Sequence, residues 1–277
     1  MIYYSGKDKY EYSFDINLDE RIAALIPTHN ATDLLTHSFD IMNKAGCLDL
    51  ISPIVIDDRS TENIEAICAK YGFGYIRIDH DLSFNYSVNM NIGAKILSEA
   101  FAETAIFLNN DVYLNDREKL ALFIEKHFEN DSNLSSPKLI YPPRECSFKQ
   151  DQPHANTVQF GGGYFANNSM AMPDHLGRYL SKDDVRLNVN REDWWATGAF
   201  NIVDLESFWG CGGYNEQLGN AYQDVLLSLQ FHKRGHKVFY IGDGVDFYHD
   251  ETTTRMEDWK ANGADTQMTY LKTLESL

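Results

Sequence analysis

At 277 residues, 43% hydrophobic and 13% aromatic, the chain can build one large packed domain or two small ones. Its formal net charge of −17 repels a phosphate backbone and argues against nucleic acid as a partner. Cys47, Cys68, Cys146 and Cys211 are scattered and form no C-x-x-C pair, so neither a zinc site nor a disulfide framework is suggested. The first twenty residues carry charges where a signal peptide needs an apolar core, and no run approaches the ~20 apolar residues of a membrane span. The expectation is a cytoplasmic protein without a transmembrane segment, with peripheral association at the inner membrane face left open.

In chain order, "RIAALIP" (21–27) is an apolar strand stopped by Pro27. The segment behind it has helical spacing at Leu34, Leu35, Phe39 and Met42 and closes on Gly46. "ISPIVIDD" (51–58) is a β-branched strand ending in Asp57 and Asp58, followed by a helix capped by Ser60 or Thr61 and stopped at Gly72. "GYIRID", "NYSVNMNIGAKILSEA" and "TAIFLNN" continue the alternation as strand, helix and strand. Such alternation predicts an α/β fold with a Rossmann-like, mainly parallel central sheet flanked by helices.

In sheets of this kind ligands lie beyond the carboxyl ends of the strands. Those ends are "PTHN", "DDRS", "DHD" and "NND". Turn chemistry explains any one of them, but it explains four together less well. The stretch "FLNNDVYL" (107–114) is the sharpest case, because an apolar strand runs straight into Asn109, Asn110 and Asp111. An ordinary turn and a metal site are the two readings.

After about residue 130 the pattern becomes loop-rich, with short strands, and helix returns around "LESFWGCGGYNEQLG" and "AYQDVLLSLQFHKRGHK". "VFYIGDGVDFYHDE" reads as two short strands around a Gly-Asp-Gly turn, and the last residues as an amphipathic helical tail anchored by Trp259. The expected organisation is an N-terminal extension (1–20), a single domain (21–252) and a C-terminal helical tail (253–277). Within the domain, 21–130 is expected to form a nucleotide-type first half and 131–252 a variable second half. "PTHN" stands where a dinucleotide fold would carry G-x-G-x-x-G, which counts against a dehydrogenase.

The ordered set "ALIPTHN", "VIDDRSTEN", "FNYSVNMNIGAK", "FLNNDVYL", "WWATGAFNIVDLESFWGCGGYNE" and "YQDVLLSLQFHKRGHK" resembles the family 2 inverting glycosyltransferases of the GT-A fold, over residues 21–251. The resemblance implies a nucleotide-sugar donor, a glycan or lipid-linked saccharide acceptor, and a divalent metal ion, Mn2+ or Mg2+. It places donor contacts at Pro27, Thr28, His29, Asp57, Asp58, Asn91, Lys95, Asn109 and Asn110. Asp58 or Asp57 would accept from the imide N–H of uracil or thymine, a donor that suits a carboxylate. As a bland reading, Asp57 is equally a helix-capping acid.

The same resemblance puts Asp111 at the family's metal-binding D-x-D, with Asn109 replacing the first aspartate, and gives His249 as a second metal ligand, with Asp250 and Glu251 as acidic alternatives. Asp224 matches the general base, with Gln223 in place of the preceding Glu. Trp194, Trp195, Thr197 and Gly198 match an acceptor loop, core packing being the alternative for one of the two tryptophans. Together these imply metal-dependent, inverting transfer of a sugar from a UDP- or dTDP-linked donor to a hydroxyl in polysaccharide assembly, resembling bacterial surface-polysaccharide enzymes. The replacements at Asn109 and Gln223 keep open a non-catalytic nucleotide-sugar- or glycan-binding protein with the same fold, and a nucleotide-sugar hydrolase is a third reading.

Overall fold

The computed structural model describes residues 2–5, 8–13, 21–79, 84–149, 151–251, 265–275 and 277, the first two segments by their backbone course. Its strands are β1 (Ile2–Ser5), β2 (Asp8–Ser13), β3 (Ile22–Thr28), β4 (Ile51–Asp58), β5 (Gly74–Asp79), β6 (Thr104–Leu108), β7 (Val112–Tyr113), β8 (Leu134–Ile140), β9 (Val158–Phe160), β10 (Gly163–Phe165), β11 (Pro173–His175), β12 (Asn190–Glu192), β13 (Phe200–Asp204) and β14 (Val238–His249). The helices are α1 (Thr32–Lys44), α2 (Ile64–Tyr71), α3 (Tyr86–Glu99), α4 (Arg117–Glu129), α5 (Leu205–Gly210) and α6 (Gln223–Lys233), with residues 265–274 also helical.

One sheet runs β1-β2-β5-β4-β3-β6-β13-β8-β14-β12, with β7 beside β14 and β9 beside β8. From β5 to β14 every strand but β13 points the same way, so the expected mainly parallel centre is present with a single reversed strand inside it. The β6–β13 pairing carries the sheet from the 21–130 half into the 131–252 half. The β1–β2 hairpin extends it through β2 against β5.

Alternation along β3 shows why the sheet is covered on both faces. Ala24 and Ile26 enter one apolar cluster with Leu35, Phe39 and Met42 of α1, while Ala23 and Leu25 enter another with Met90, Ala94 and Leu97 of α3. A period of two on the strand thus meets a period near 3.6 on each covering helix.

Several expected details differ. The cap of α2 is Asn63, whose side chain accepts from Ala66 N at 3.1 Å, rather than Ser60 or Thr61. Ser60 N instead donates to Asp57 Oδ1 at 2.9 Å, closing the turn before the helix. The segment Gly242 to Gly244 does not separate two strands. It lies in a register shift between Ile241 and Asp246, with Gly244 at φ +70°, inside the continuous strand β14.

β8, inside the stretch expected to be loop-rich, is a fully buried strand despite Ser135, Ser136 and Lys138. The Lys138 ammonium is satisfied by Asn188 Oδ1 at 2.6 Å and Lys182 O at 3.2 Å, which removes the usual objection to burying it. α4 was not anticipated, although Asp116 caps it through Glu118 N and Lys119 N, and Leu120 and Phe123 pack beneath it. The terminal helix docks through Tyr270, and Trp259 lies outside the described residues.

Candidate active site

A cleft of about 180 Å³ opens at the carboxyl ends of β3 and β6 and is closed on its other side by β9, β11 and the start of α6. Of the expected site residues it is lined by Pro27, Thr28, His29, Asn109, Asn110, Asp111, Thr197, Gly198, Asp224 and His249. Asp57, Asp58, Asn91, Lys95, Trp194 and Trp195 are not in its lining.

The register of β7 against β14 makes the first key contact. Val112 pairs with His249, and Asp250 N donates to Asp111 O at 2.9 Å, so the ladder sets Asp111 and His249 side by side. His249 Nε2 stands 3.3 Å from Asp111 Oδ1, with both side chains buried. Nearby, Asn109 Oδ1 and His249 Nδ1 are buried without a hydrogen-bond partner among the described residues, a condition that a bound ion or ligand relieves.

Among the described residues no group of three or more His, Cys, Asp or Glu side chains is placed to share one metal ion. Asp111 and His249 bring a carboxylate and an imidazole together, a donor pair that would suit a divalent cation completed by other ligands. The acidic alternatives fare differently. Asp250 is fully buried, and its carboxylate already accepts from Tyr113 Oη, Ser147 Oγ, Phe148 N and Gln152 Nε2. Glu251 lines the cleft and accepts from Tyr141 Oη and Arg178.

Asp224 is oriented by main chain. Gly198 N donates to its Oδ2 at 2.8 Å and Val225 N to its Oδ1 at 2.9 Å. Gly198 is fixed in turn because Tyr86 Oη donates to its carbonyl at 2.6 Å. A Cβ on Gly198 would stand 3.4 Å from both Asp224 Oδ2 and Gln223 Nε2, an ordinary packing distance, so the contact itself is made by main chain. Just before Asp224, Tyr222 takes the left-handed conformation (φ 63°), disfavoured for an aromatic residue. A parallel stack with Tyr270 at 4.7 Å holds it, so the terminal helix helps set the start of α6.

At the β3 end, the exposed His29 ring is pinned by its edges. Nδ1 donates to Asp58 O at 2.6 Å, and Asn30 Nδ2 donates to Nε2 at 3.2 Å. Asn110 Nδ2 reaches Thr28 Oγ1 at 3.2 Å. Asp57 and Asp58 lie fully buried below this surface. Asp57 Oδ2 accepts from Tyr75 Oη and Arg77, and Asp58 holds Arg59, Asn89 Nδ2 and Asn85 N. Asn91 clips α3 to Tyr214 through both its main-chain N–H and carbonyl. Lys95, one turn further along α3, is exposed.

The two tryptophans divide. Trp195 is buried against Phe160 and His175, with ring centroids at 5.2 and 5.3 Å, while Trp194 is 58% exposed. Thr197 accepts from Ala199 N and lines the cleft.

Sequence reading missed Tyr86, Gln159, His175 and Asn220, all in the lining. Gln159 and His175 come from segments without periodicity, so only the β9 and β11 pairings bring them in. His175 Nδ1 donates to Gln159 O at 2.9 Å, and burial pushes its pKa down to about 4, so the ring is neutral at pH 7.

The sequence pattern of the family described as Glycosyl transferase family 2 matches residues 23–182. The chain belongs to this family. No curated relative matches it in sequence. Its structure is similar to that of GalNAc-T7 with UDP, GalNAc and Mn2+, at a TM-score of 0.58 and 16% identity, covering 85% of this chain and 44% of that one. It is also similar to the mannosyltransferase PcManGT from Pyrobaculum calidifontis in complex with GDP-Man and Mn2+, at a TM-score of 0.58 and 13% identity, covering 93% and 64%. The fold is therefore GT-A, as the ordered motifs implied, and the chain spans less than two thirds of the length of either neighbour. Among the described residues no helix is long and apolar enough to cross a membrane.

Proposed function

We propose that this chain is a metal-dependent inverting glycosyltransferase that moves a sugar from a nucleotide donor to a hydroxyl of a glycan or glycolipid. The observation that carries this reading is the pairing of Asp111 with His249 in a cleft whose described lining holds Asp111, Asp224 and Glu251 but no Lys or Arg. A diphosphate entering that field needs a cation, and the buried Asp–His pair is where one fits. The Mn2+ complexes of both structural neighbours agree with this.

In this reading the nucleotide lies over Pro27, Thr28 and His29, with a base against the exposed His29 ring, and the diphosphate passes Asn109 and Asn110. A divalent ion on Asp111 and His249 would neutralise the charge that develops on the departing nucleoside diphosphate. Each Asp224 oxygen accepts one main-chain N–H and keeps a lone pair, so the carboxylate can take the proton of an acceptor hydroxyl. That hydroxyl oxygen bonds to the anomeric carbon while the bond from carbon to diphosphate oxygen breaks, inverting the centre in one displacement. A UDP- or dTDP-linked donor and a role in polysaccharide assembly are the finer parts of the proposal, supported by the motif resemblance.

Asn109 and Gln223, uncharged where the family motifs carry acids, favour one competing reading, a binding protein without turnover. The test is thermal unfolding with UDP-, dTDP-, GDP- and CMP-sugars in Mn2+, Mg2+ or chelator, followed by assay of donor consumption. At a hundred times its dissociation constant a donor adds ~2.7 kcal/mol. Metal-dependent stabilisation with acceptor-dependent turnover supports transfer, stabilisation without turnover supports the binding protein, and consumption independent of acceptor supports a hydrolase.

A further inference from the structure

The wall of the cleft facing away from the nucleotide end contains polar atoms that the proposed chemistry does not use. Gln159 is 1% exposed, yet its Oε1 has no hydrogen-bond partner among the described residues. Gln223, 6% exposed beside Asp224, leaves its Oε1 in the same condition. A buried amide oxygen without a partner is costly, and native proteins keep one where a ligand or water completes it.

His175 completes the wall. Because Nδ1 donates to Gln159 O, the ring presents Nε2 as a hydrogen-bond acceptor, and the packing of Phe160 and Trp195 against it fixes its plane. The carboxylates of Asp224 and Glu251 are near enough to act on it electrostatically.

Gln159 comes from β9, His175 from β11 and Gln223 from the start of α6, so this wall is built from elements other than the β3 and β6 ends that carry the proposed nucleotide contacts. Asp224 lines the cleft together with both ends.

We infer that Gln159, His175 and Gln223 form the subsite for the acceptor sugar and select an uncharged, hydroxyl-bearing saccharide over an acidic one. The two amides can donate to and accept from hydroxyls and the neutral imidazole accepts through Nε2, and no Lys or Arg in the described lining answers an anion. A uronic acid or phosphorylated sugar there would face the Asp224 carboxylate with no Lys or Arg in the described lining to offset it, Glu251 being paired with Arg178 at 2.8 Å. The inference rests on the glycosyl-transfer reading of the same cleft.

The experiment is calorimetric binding of methyl glycosides to the full chain with Mn2+ and a stabilising nucleotide present. The probes are the methyl glycosides of glucose, galactose, mannose and N-acetylglucosamine, and the methyl uronosides of glucose and galactose. At least one neutral glycoside should bind about tenfold or more tighter than either uronoside. Gln159→Leu and His175→Phe should each weaken it by about tenfold, the loss expected for a ligand hydroxyl left unpaired, with nucleotide affinity unchanged.

Gln159→Met, unbranched, uncharged and close in volume, guards against a folding defect. It should weaken the neutral glycoside while keeping the wild-type melting temperature. Uronosides binding as well as neutral sugars, variants that leave glycoside affinity unchanged, variants that weaken nucleotide equally, or a wild type that binds nucleotide but none of the neutral probes would each overturn the inference. A chain that binds no nucleotide at all defeats the transferase reading, and this inference with it, so the two failures are told apart.

Discussion

Gly198 donates its main-chain N–H to Asp224 Oδ2 at 2.8 Å, and so ties the 194–198 loop to the carboxylate proposed as the general base. The contact fixes where Asp224 points without using up its capacity to accept. Asp224→Asn keeps the shape and an acceptor oxygen but cannot take the proton. Its turnover should fall by about 10²- to 10⁴-fold while donor affinity and melting temperature stay near wild type. Steady-state kinetics beside donor calorimetry checks this, and an unchanged turnover number would remove Asp224 from the mechanism.

The Asp111–His249 pair makes a different prediction, because it acts on binding. His249→Ala and Asp111→Asn should each abolish the metal-dependent part of nucleotide stabilisation and leave any metal-independent part. At a hundred times the wild-type dissociation constant the lost stabilisation approaches ~2.7 kcal/mol. Melting curves with nucleotide in Mn2+ and in chelator read it directly. If the variants keep the full Mn2+ effect, the ion sits elsewhere.

These two clusters differ in how far they could be seen in the sequence. Asp111 was legible because an apolar strand stops abruptly on polar residues, and the parallel sheet because β-branched runs alternate with helical spacing. The family order then pointed to His249, but the reason it meets Asp111 is the β7–β14 register, which no local pattern encodes. Asp57, Asp58 and Asn91 were marked as donor contacts by the family resemblance, and their side chains engage Arg77, Asn89 and Tyr214 outside the lining of the cleft. Trp194 and Trp195 are neighbours in sequence with opposite fates, set by which one faces Phe160. Gln159 and His175 were invisible because their role comes from tertiary pairing of short strands.

Gly163 tests how firmly that pairing is packed. A Cβ there would lie 2.5 Å from Cδ1, Cγ and Nε1 of Trp195, a rigid ring enclosed by Phe160 and His175. Gly163→Ala should therefore cost about 1–3 kcal/mol through overpacking. Denaturant titration would show a lower midpoint, and tryptophan emission should shift as Trp195 moves. Wild-type stability and emission would mean that the wall yields more easily than its packing implies.

Asp193, immediately before the two tryptophans, makes stability depend on pH. It is 8% exposed, and its burial pushes its pKa up to about 6 despite Arg191 nearby and hydrogen bonds from Gly163 N and Trp194 N. The unfolded chain would release the same proton near pH ~4. The folded state therefore holds the proton more tightly. Its contribution is full below pH ~4 and is lost as the pH rises through about 6. The integrated effect is about 3 kcal/mol. Asp193→Asn cannot ionise, so the difference in unfolding free energy between variant and wild type should change across this window and stay flat above pH ~7. Urea titrations of both proteins from pH 4 to 8 measure it. Parallel curves throughout would mean that Asp193 titrates alike in the folded and unfolded chains.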